Sequence, residues 1–182
     1  MAKLVDKTYG DALFELAISS GKIDEYFEEA KCVVEAIEEN EDFIKLLNHP
    51  KISKEEKEKV TENIFKDRVS DDITGFLLLM VKKDRQIKMV EALKYFIFKV
   101  KEYKKIGVAT VTTAIELTGA KKKEIEKKLM DTTEYVAFEI NYIVDKNIIG
   151  GMVIRIGDRV VDSSIKTKIY NISRELYNIQ LS

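Results

Sequence analysis

Apolar residues recur at three- and four-residue steps through roughly the first hundred positions, and near residue 106 the pattern shifts toward β-branched alternation. Val5, Tyr9, Ala12, Leu13, Leu16 and Ala17 fall on one face of a first helix, which Gly21 stops. A second segment begins near Asp24, carries Phe27, Ala30, Val34 and Ile37, and ends near Asn40. Phe43, Leu46 and Leu47 predict a short third helix closed by Asn48-His49-Pro50, because a residue before proline is pushed out of the helical region. Ser53-Lys54-Glu55-Glu56 has the form of a capping box and opens a fourth helix toward Phe65. Asp71 and Asp72 start a fifth, through Ile73, Phe76, Leu77 and Met80, and a sixth runs from about Arg85 through Val90, Leu93, Phe96, Ile97 and Val100 to Tyr103. Six short helices with short turns predict an antiparallel bundle, since their stripes can be buried only against one another.

Residues 108–115 are β-branched and read as a strand, followed by a helix rich in lysine and glutamate over about 119–131. Residues 135–144 and 148–156 read as two further strands, 159–161 as a short return, and a last helix starts after Asp162. The expected fold class is mainly α, a six-helix bundle over 1–105 followed by a small α+β domain of β-α-β-β-α order over 106–182.

Two stripes stand out. Ile165, Ile169, Ile172, Leu176 and Ile179 have the a/d spacing of a helix that packs along a neighbour, which the protein's own sheet or a partner helix would supply equally well. The fifth helix is apolar nearly all round over 76–81, and Phe14 and Ile18 lie off the main stripe of the first. Such a fifth helix is central to the bundle, or else the two helices leave surplus apolar surface that suits an amphipathic partner helix.

Composition narrows the chemistry. With 182 residues, 45% of them hydrophobic, the chain is long and apolar enough for a substantial core, which excludes general disorder. Lysines and arginines number 31 against 32 acidic residues, so no basic excess supports a phosphate-driven nucleic-acid binder. Lys121, Lys122, Lys123, Lys127 and Lys128 make one locally basic helix with Glu124 and Glu126 interleaved, which keeps a small RNA- or ribosome-associated protein as the alternative function. The single cysteine, Cys32, allows no internal disulfide and reads more readily as a small core filler beside Val33 and Val34 than as a reactive thiol. His49 sits in a turn with no second histidine or cysteine to join it on a metal. No phosphate-loop motif occurs, Gly150-Gly151 with Gly157 does not match a dinucleotide fingerprint, and the carboxylates alternate with lysines as in residues 54–59. Neither a catalytic residue nor a cofactor is expected. No apolar run reaches the roughly 18 residues of a spanning helix, and the first residues lack signal-peptide or transit-peptide character, so the protein is expected to stay where it is made, without direct membrane insertion.

The most informative stretch is residues 145–164, DKNIIGGMVIRIGDRVVDSS. Its ordered landmarks are Asp145, the apolar pair Ile148-Ile149, Gly150-Gly151, the alternating Val153 and Ile156, Gly157, and Asp162 with Ser164. Residues 9–17, YGDALFELA, residues 47–52, LNHPKI, and residues 76–79, FLLL, with Arg85 add further landmarks along the chain. Together they resemble the delta-subunit family of bacterial F-type ATP synthases, which includes the mitochondrial oligomycin-sensitivity-conferring protein. Gly10 stands where the family usually has alanine; it costs about 1 kcal/mol of helix propensity and marks a close helix contact.

The resemblance implies a non-catalytic stator subunit of the peripheral stalk, without cofactor, that links the catalytic head to the membrane-anchored stalk and resists rotor torque during proton- or sodium-driven ATP synthesis. It implies a groove between the first and fifth helices, with Tyr9, Leu13, Phe14, Ile18, Ile73, Phe76, Leu77 and Met80, that receives the N-terminal helix of an alpha subunit. It further implies that the C-terminal domain binds b-type stalk subunits, with the Ile165 to Ile179 stripe taking part. The implied setting is a single copy in a hetero-oligomeric complex, peripheral on the cytoplasmic face of a bacterial cell membrane. In this reading the glycines and serines of 145–164 have backbone roles: close approach or a bulge at Gly150-Gly151, a turn at Gly157-Asp158, and a helix cap from Asp162 or a following serine.

Overall fold

A computed structural model describes the backbone of residues 2–180 and the side chains of residues 6–177 other than Glu41. The chain divides into two compact units, residues 1–101 and 102–182. Among the described residues the fold is mostly helical, with one small sheet.

The first unit is built from α1 (Ala2–Ser19), α2 (Ile23–Glu39), α3 (Glu41–Leu47), α4 (Lys54–Phe65), α5 (Asp71–Lys82) and α6 (Met89–Tyr103), whose last residues reach into the second unit. Each start has a local cause. Ser53 closes the capping box on α4: its hydroxyl accepts from Glu56 N at 3.3 Å, and its own N donates to the Glu56 carboxylate at 3.0 Å. The Glu56 carboxyl is held below its ordinary range by that backbone bond first. Ser70 caps α5 by accepting from Ile73 N, and Glu29 of α2 accepts from both Ser70 N (2.9 Å) and Ser70 Oγ (2.6 Å). The Tyr26 hydroxyl donates to Asp72 in the same corner. Burial, reinforced by that carboxylate, pushes the Tyr26 phenol up.

The core of this unit takes one stripe from each long helix: Leu13 and Ala17 of α1, Tyr26 to Ile37 of α2 at helical spacing, Ile73, Leu77 and Met80 of α5, and Met89, Leu93, Phe96 and Val100 of α6. Burying each large aliphatic side chain is worth about 1.5–3 kcal/mol before the entropy of ordering it is subtracted. Gly10 is a point of close approach between α1 and α6, since a Cβ there would lie 2.5 Å from the Tyr95 ring and 3.0 Å from the Ala92 carbonyl oxygen. Cys32 is exposed, contrary to its reading as core filler. A rotation of 100° per residue carries it away from buried Val33 and onto the solvent face with Glu28 and Glu35.

The second unit contains β1 (Ile106–Thr113), α7 (Gly119–Thr132), β2 (Ala137–Val144), β3 (Met152–Ile156), β4 (Arg159–Asp162) and α8 (Ile165–Gln180). The sheet order is β2-β1-β3-β4; β1 pairs in parallel with β2 across the α7 crossover and antiparallel with β3, and β3 with β4 is a hairpin. α7 packs Ile125 and Leu129 onto Ala109, Val111 and Phe138. Part of the expected strand at 148–156 is a 3-10 turn, Lys146–Ile148, so β3 begins only at Met152.

Candidate partner-binding surfaces

Tyr9 of α1 and Phe76 of α5 meet edge to face, with centroids 6.5 Å apart and planes at 74°. The Tyr26–Asp72 hydrogen bond joins the start of α5 to the first turn of α2, and the aromatic pair joins α5 to α1. Leu13, Ile73, Leu77 and Met80, assigned by the sequence to the groove, lie in the core at 2% exposure or less. Phe76 is also nearly buried, and with half-buried Tyr9 it forms the floor between the helices. Phe14 and Ile18 occupy the other flank of α1, toward α6: Lys99 Nζ stands over the Phe14 ring and pairs with Asp11 at 3.0 Å. Ile18 follows Phe14 by one turn and is exposed.

Near that pair along the two helices, Ala12 and Leu16 of α1 and Gly75 and Leu79 of α5 are exposed. Leu16, seven residues beyond Tyr9, and Leu79, three beyond Phe76, fall near the same helical faces as that pair and are both more than two-fifths exposed. The sequence pattern did not separate Leu79 from its neighbours, since a helix apolar on every side has no period from which to read a face. For Leu16 there was a signal, its four-residue step from Ala12, but the same face also held core Leu13 and Ala17.

In the second unit the landmarks of residues 145–164 converge on the root of α8. Asp145 caps the 3-10 turn by accepting from Asn147 N at 2.9 Å, and its own N donates to Thr113 O at the end of β1. Gly150 offers its carbonyl oxygen to Ile165 N at 2.9 Å, and Ser163 N donates to Met152 O at 3.0 Å. Gly151 has φ +76, and Gly157 at φ +55 makes the β3–β4 turn. Ser164, 2% exposed, is the helix cap: its Oγ accepts from Thr167 N at 3.2 Å. Asp162 stands behind it, accepting from Thr167 Oγ1 at 2.7 Å and from Ser164 N at 2.8 Å. Those bonds, the Thr167 hydroxyl foremost, hold the Asp162 carboxyl below the usual carboxylate range.

Beyond its root, none of the described side chains of α8 is buried. Ile165, Ile169, Ile172 and Leu176 are all exposed, from 43% at Ile165 to 59% at Leu176, and Tyr170 and Tyr177 are exposed beside them. The side chain of Ile179 lies outside the described residues. Of the lysines on α7, Lys128 pairs with Glu124 at 2.9 Å and Lys122 stands over the Tyr142 ring. No helix among the described residues is long and apolar enough to cross a membrane.

Residues 5–176 match the family model described as ATP synthase delta (OSCP) subunit. The chain is 55% identical over 181 residues to the ATP synthase subunit delta of Lachnoclostridium phytofermentans, covering 100% of both chains. It is 35% identical over 175 residues to the subunit of the same name from Clostridium botulinum strain Loch Maree, covering 96% of this chain and 97% of that one. Among solved structures, a chain of the Toxoplasma gondii mitochondrial ATP synthase hexamer shares the fold at a TM-score of 0.72 and 14% identity, covering 94% of this chain and 97% of that one.

Proposed function

The chain belongs to the ATP synthase delta (OSCP) subunit family, and from that premise we propose how its two units divide the work of a stator. Members of the family are peripheral-stalk components of an ATP synthase, so the chain is a subunit of an enzyme complex. Its own part is non-catalytic. The first unit receives the N-terminal helix of an alpha subunit between α1 and α5, and the second grips b-type stalk subunits, with α8 as a principal contact. One copy on the cytoplasmic face of a bacterial cell membrane joins the catalytic head to the stalk.

The observation that carries this reading is the pair of uncovered apolar surfaces, one on each unit. The first is exposed Leu16 and Leu79 near the Tyr9–Phe76 pair, and the second is the α8 stripe. An isolated helix of about 12–15 residues is marginal in water, and α8 has only its root packed, so a neighbour that buries its stripe stabilises it. Both surfaces suit helices laid lengthwise, the docking mode read as i, i+3, i+4 and i+7 anchors. A rotary enzyme does useful work only when its catalytic head is kept from turning with the rotor. Elongated helix-to-helix contacts resist sliding because every ridge must climb out of its groove at once. Transmitting torque in this way needs no titrating group and no cofactor.

The RNA-associated alternative has no support from the family match. Recovery of the affinity-tagged chain from detergent-solubilised membranes, followed by identification of co-purified proteins, tests the proposal: alpha and b-type subunits are expected together. Recovery free of both would overturn it.

A further inference from the structure

Tyr26 and Glu29 stand one turn apart on α2 and both reach the start of α5. The two Glu29 carboxylate oxygens are both used on Ser70: one accepts from its N at 2.9 Å and the other from its Oγ at 2.6 Å. With its proton committed to Glu29, the Ser70 hydroxyl turns a lone pair to Ile73 N, which donates to it at 3.4 Å. The relay therefore runs from a carboxylate on α2 through the cap of α5 into its first turn. The Tyr26 hydroxyl takes the second hold, on Asp72. At its other end α2 is bound to α1, because the turn between them is closed by Lys22 N on Ala17 O at 3.1 Å and by Tyr26 N on Lys22 O at 3.0 Å. The first turns of α2 thus form a bracket between the end of α1 and the start of α5.

We propose that Tyr26 and Glu29 are positioning residues for the docked alpha helix, setting the place and rotation with which α5 presents Leu79. The inference rests on the α1–α5 docking reading above and adds two residues that act on it without touching the partner. Tyr26 is 0% exposed, and Glu29 is half-buried with both oxygens engaged, so neither offers a surface to a docked helix. A single hold would leave α5 able to swivel about it. Two holds, on Ser70 and on Asp72, fix its rotation as well as its position. A surface whose supporting groups are locked in this way binds without first having to order itself.

The test uses the full-length chain and a synthetic peptide of the alpha subunit's N-terminal helix, with affinity from calorimetry and rates from stopped-flow fluorescence. Tyr26→Phe removes the hydroxyl and keeps the ring in the core, while Glu29→Ala removes both acceptors. Each is expected to weaken binding about tenfold, the loss that follows when α5 holds its docking position about a tenth of the time. The loss should lie in the association rate with dissociation unchanged, because no contact to the peptide is removed. Glu29→Gln, whose amide oxygen still accepts from Ser70 N, is expected to recover most of the affinity. Ser70→Ala breaks the relay from the α5 side and carries the same expectation as Glu29→Ala, so the test stands if that variant does not fold. Leu47→Ala, at 0% exposure in α3, is the control for lost stability and should bind as the wild type does at a temperature where every chain is folded. Wild-type affinity in the Tyr26, Glu29 and Ser70 variants overturns the proposal. A loss matched by Leu47→Ala overturns it in favour of stability alone, and a loss carried by dissociation overturns it in favour of direct contact. Failure of the wild-type chain to bind the peptide sinks the docking reading and the proposal together, whereas equal binding by wild type and variants sinks the proposal alone.

Discussion

Gly151 lies so close to Ser163 that a Cβ on the glycine would sit 2.4 Å from the serine's carbonyl oxygen, on a backbone at φ +76. The contact ties the start of β3 to the root of α8, and with the Gly150–Ile165 and Met152–Ser163 hydrogen bonds it sets where the last helix leaves the sheet.

Gly151→Ala is therefore expected to be more damaging than a loss of glycine freedom alone. The left-handed backbone costs a side-chain-bearing residue about 1–2 kcal/mol, and the clash with Ser163 adds displacement of the α8 root. Gly157→Ala, at φ +55 with nothing within 4 Å, is the matched control and should show only the backbone cost. Denaturant unfolding measures the difference, and amide exchange should speed up in the first turn of α8 for Gly151→Ala alone.

The cap of α8 should fray in acid with a definite sign. The Asp162 carboxyl is depressed in the folded chain, so its contribution is fully present above the unfolded value and is lost as pH falls through the folded one. Amide exchange or NMR shifts of Ser164 and Thr167 should follow a transition below the ordinary aspartate range. In Asp162→Asn that transition should vanish, and its persistence would assign the effect to another group.

Leu79 and Leu77 stand two residues apart on α5 and should behave oppositely. Leu77 is wholly buried, so Leu77→Ala is expected to cost about 2–5 kcal/mol of bundle stability in denaturant unfolding. Leu79 is 42% exposed, so Leu79→Glu should leave unfolding nearly unchanged and weaken binding of an alpha N-terminal helix, measured by calorimetry. Full affinity in Leu79→Glu, repeated in Leu16→Glu, would remove the α1–α5 strip as the docking surface.

Gly10→Ala sets helix propensity against packing. Alanine should gain about 1 kcal/mol in an unconstrained helix, yet here its methyl meets Tyr95 and the Ala92 carbonyl, and overpacking of this kind costs about 1–3 kcal/mol. A net loss of stability is expected in urea unfolding. A net gain would show that α6 yields at that point.

Much of this protein is local and therefore legible along the chain. Helical and alternating periods, the Ser53 capping box, and a turn at Gly157-Asp158 are set by a few neighbouring residues, and the structure has each of them in place. The landmarks of residues 145–164 were recognisable for the same reason, since close approach and capping demand particular residue types. What escaped the sequence depends on partners distant in the chain. Period alone does not say which side of an all-apolar α5 is covered, and only tertiary packing buries Leu77 while leaving Leu79 to solvent. An a/d stripe announces that α8 will pack lengthwise without saying on what, and only the tertiary structure shows that its described members, Ile165 to Leu176, are exposed. The cleft between α7 and the β3–β4 hairpin is the most nonlocal feature of all, because it exists only where a strand order of β2-β1-β3-β4 brings β3 and β4 to one side of the face on which α7 packs.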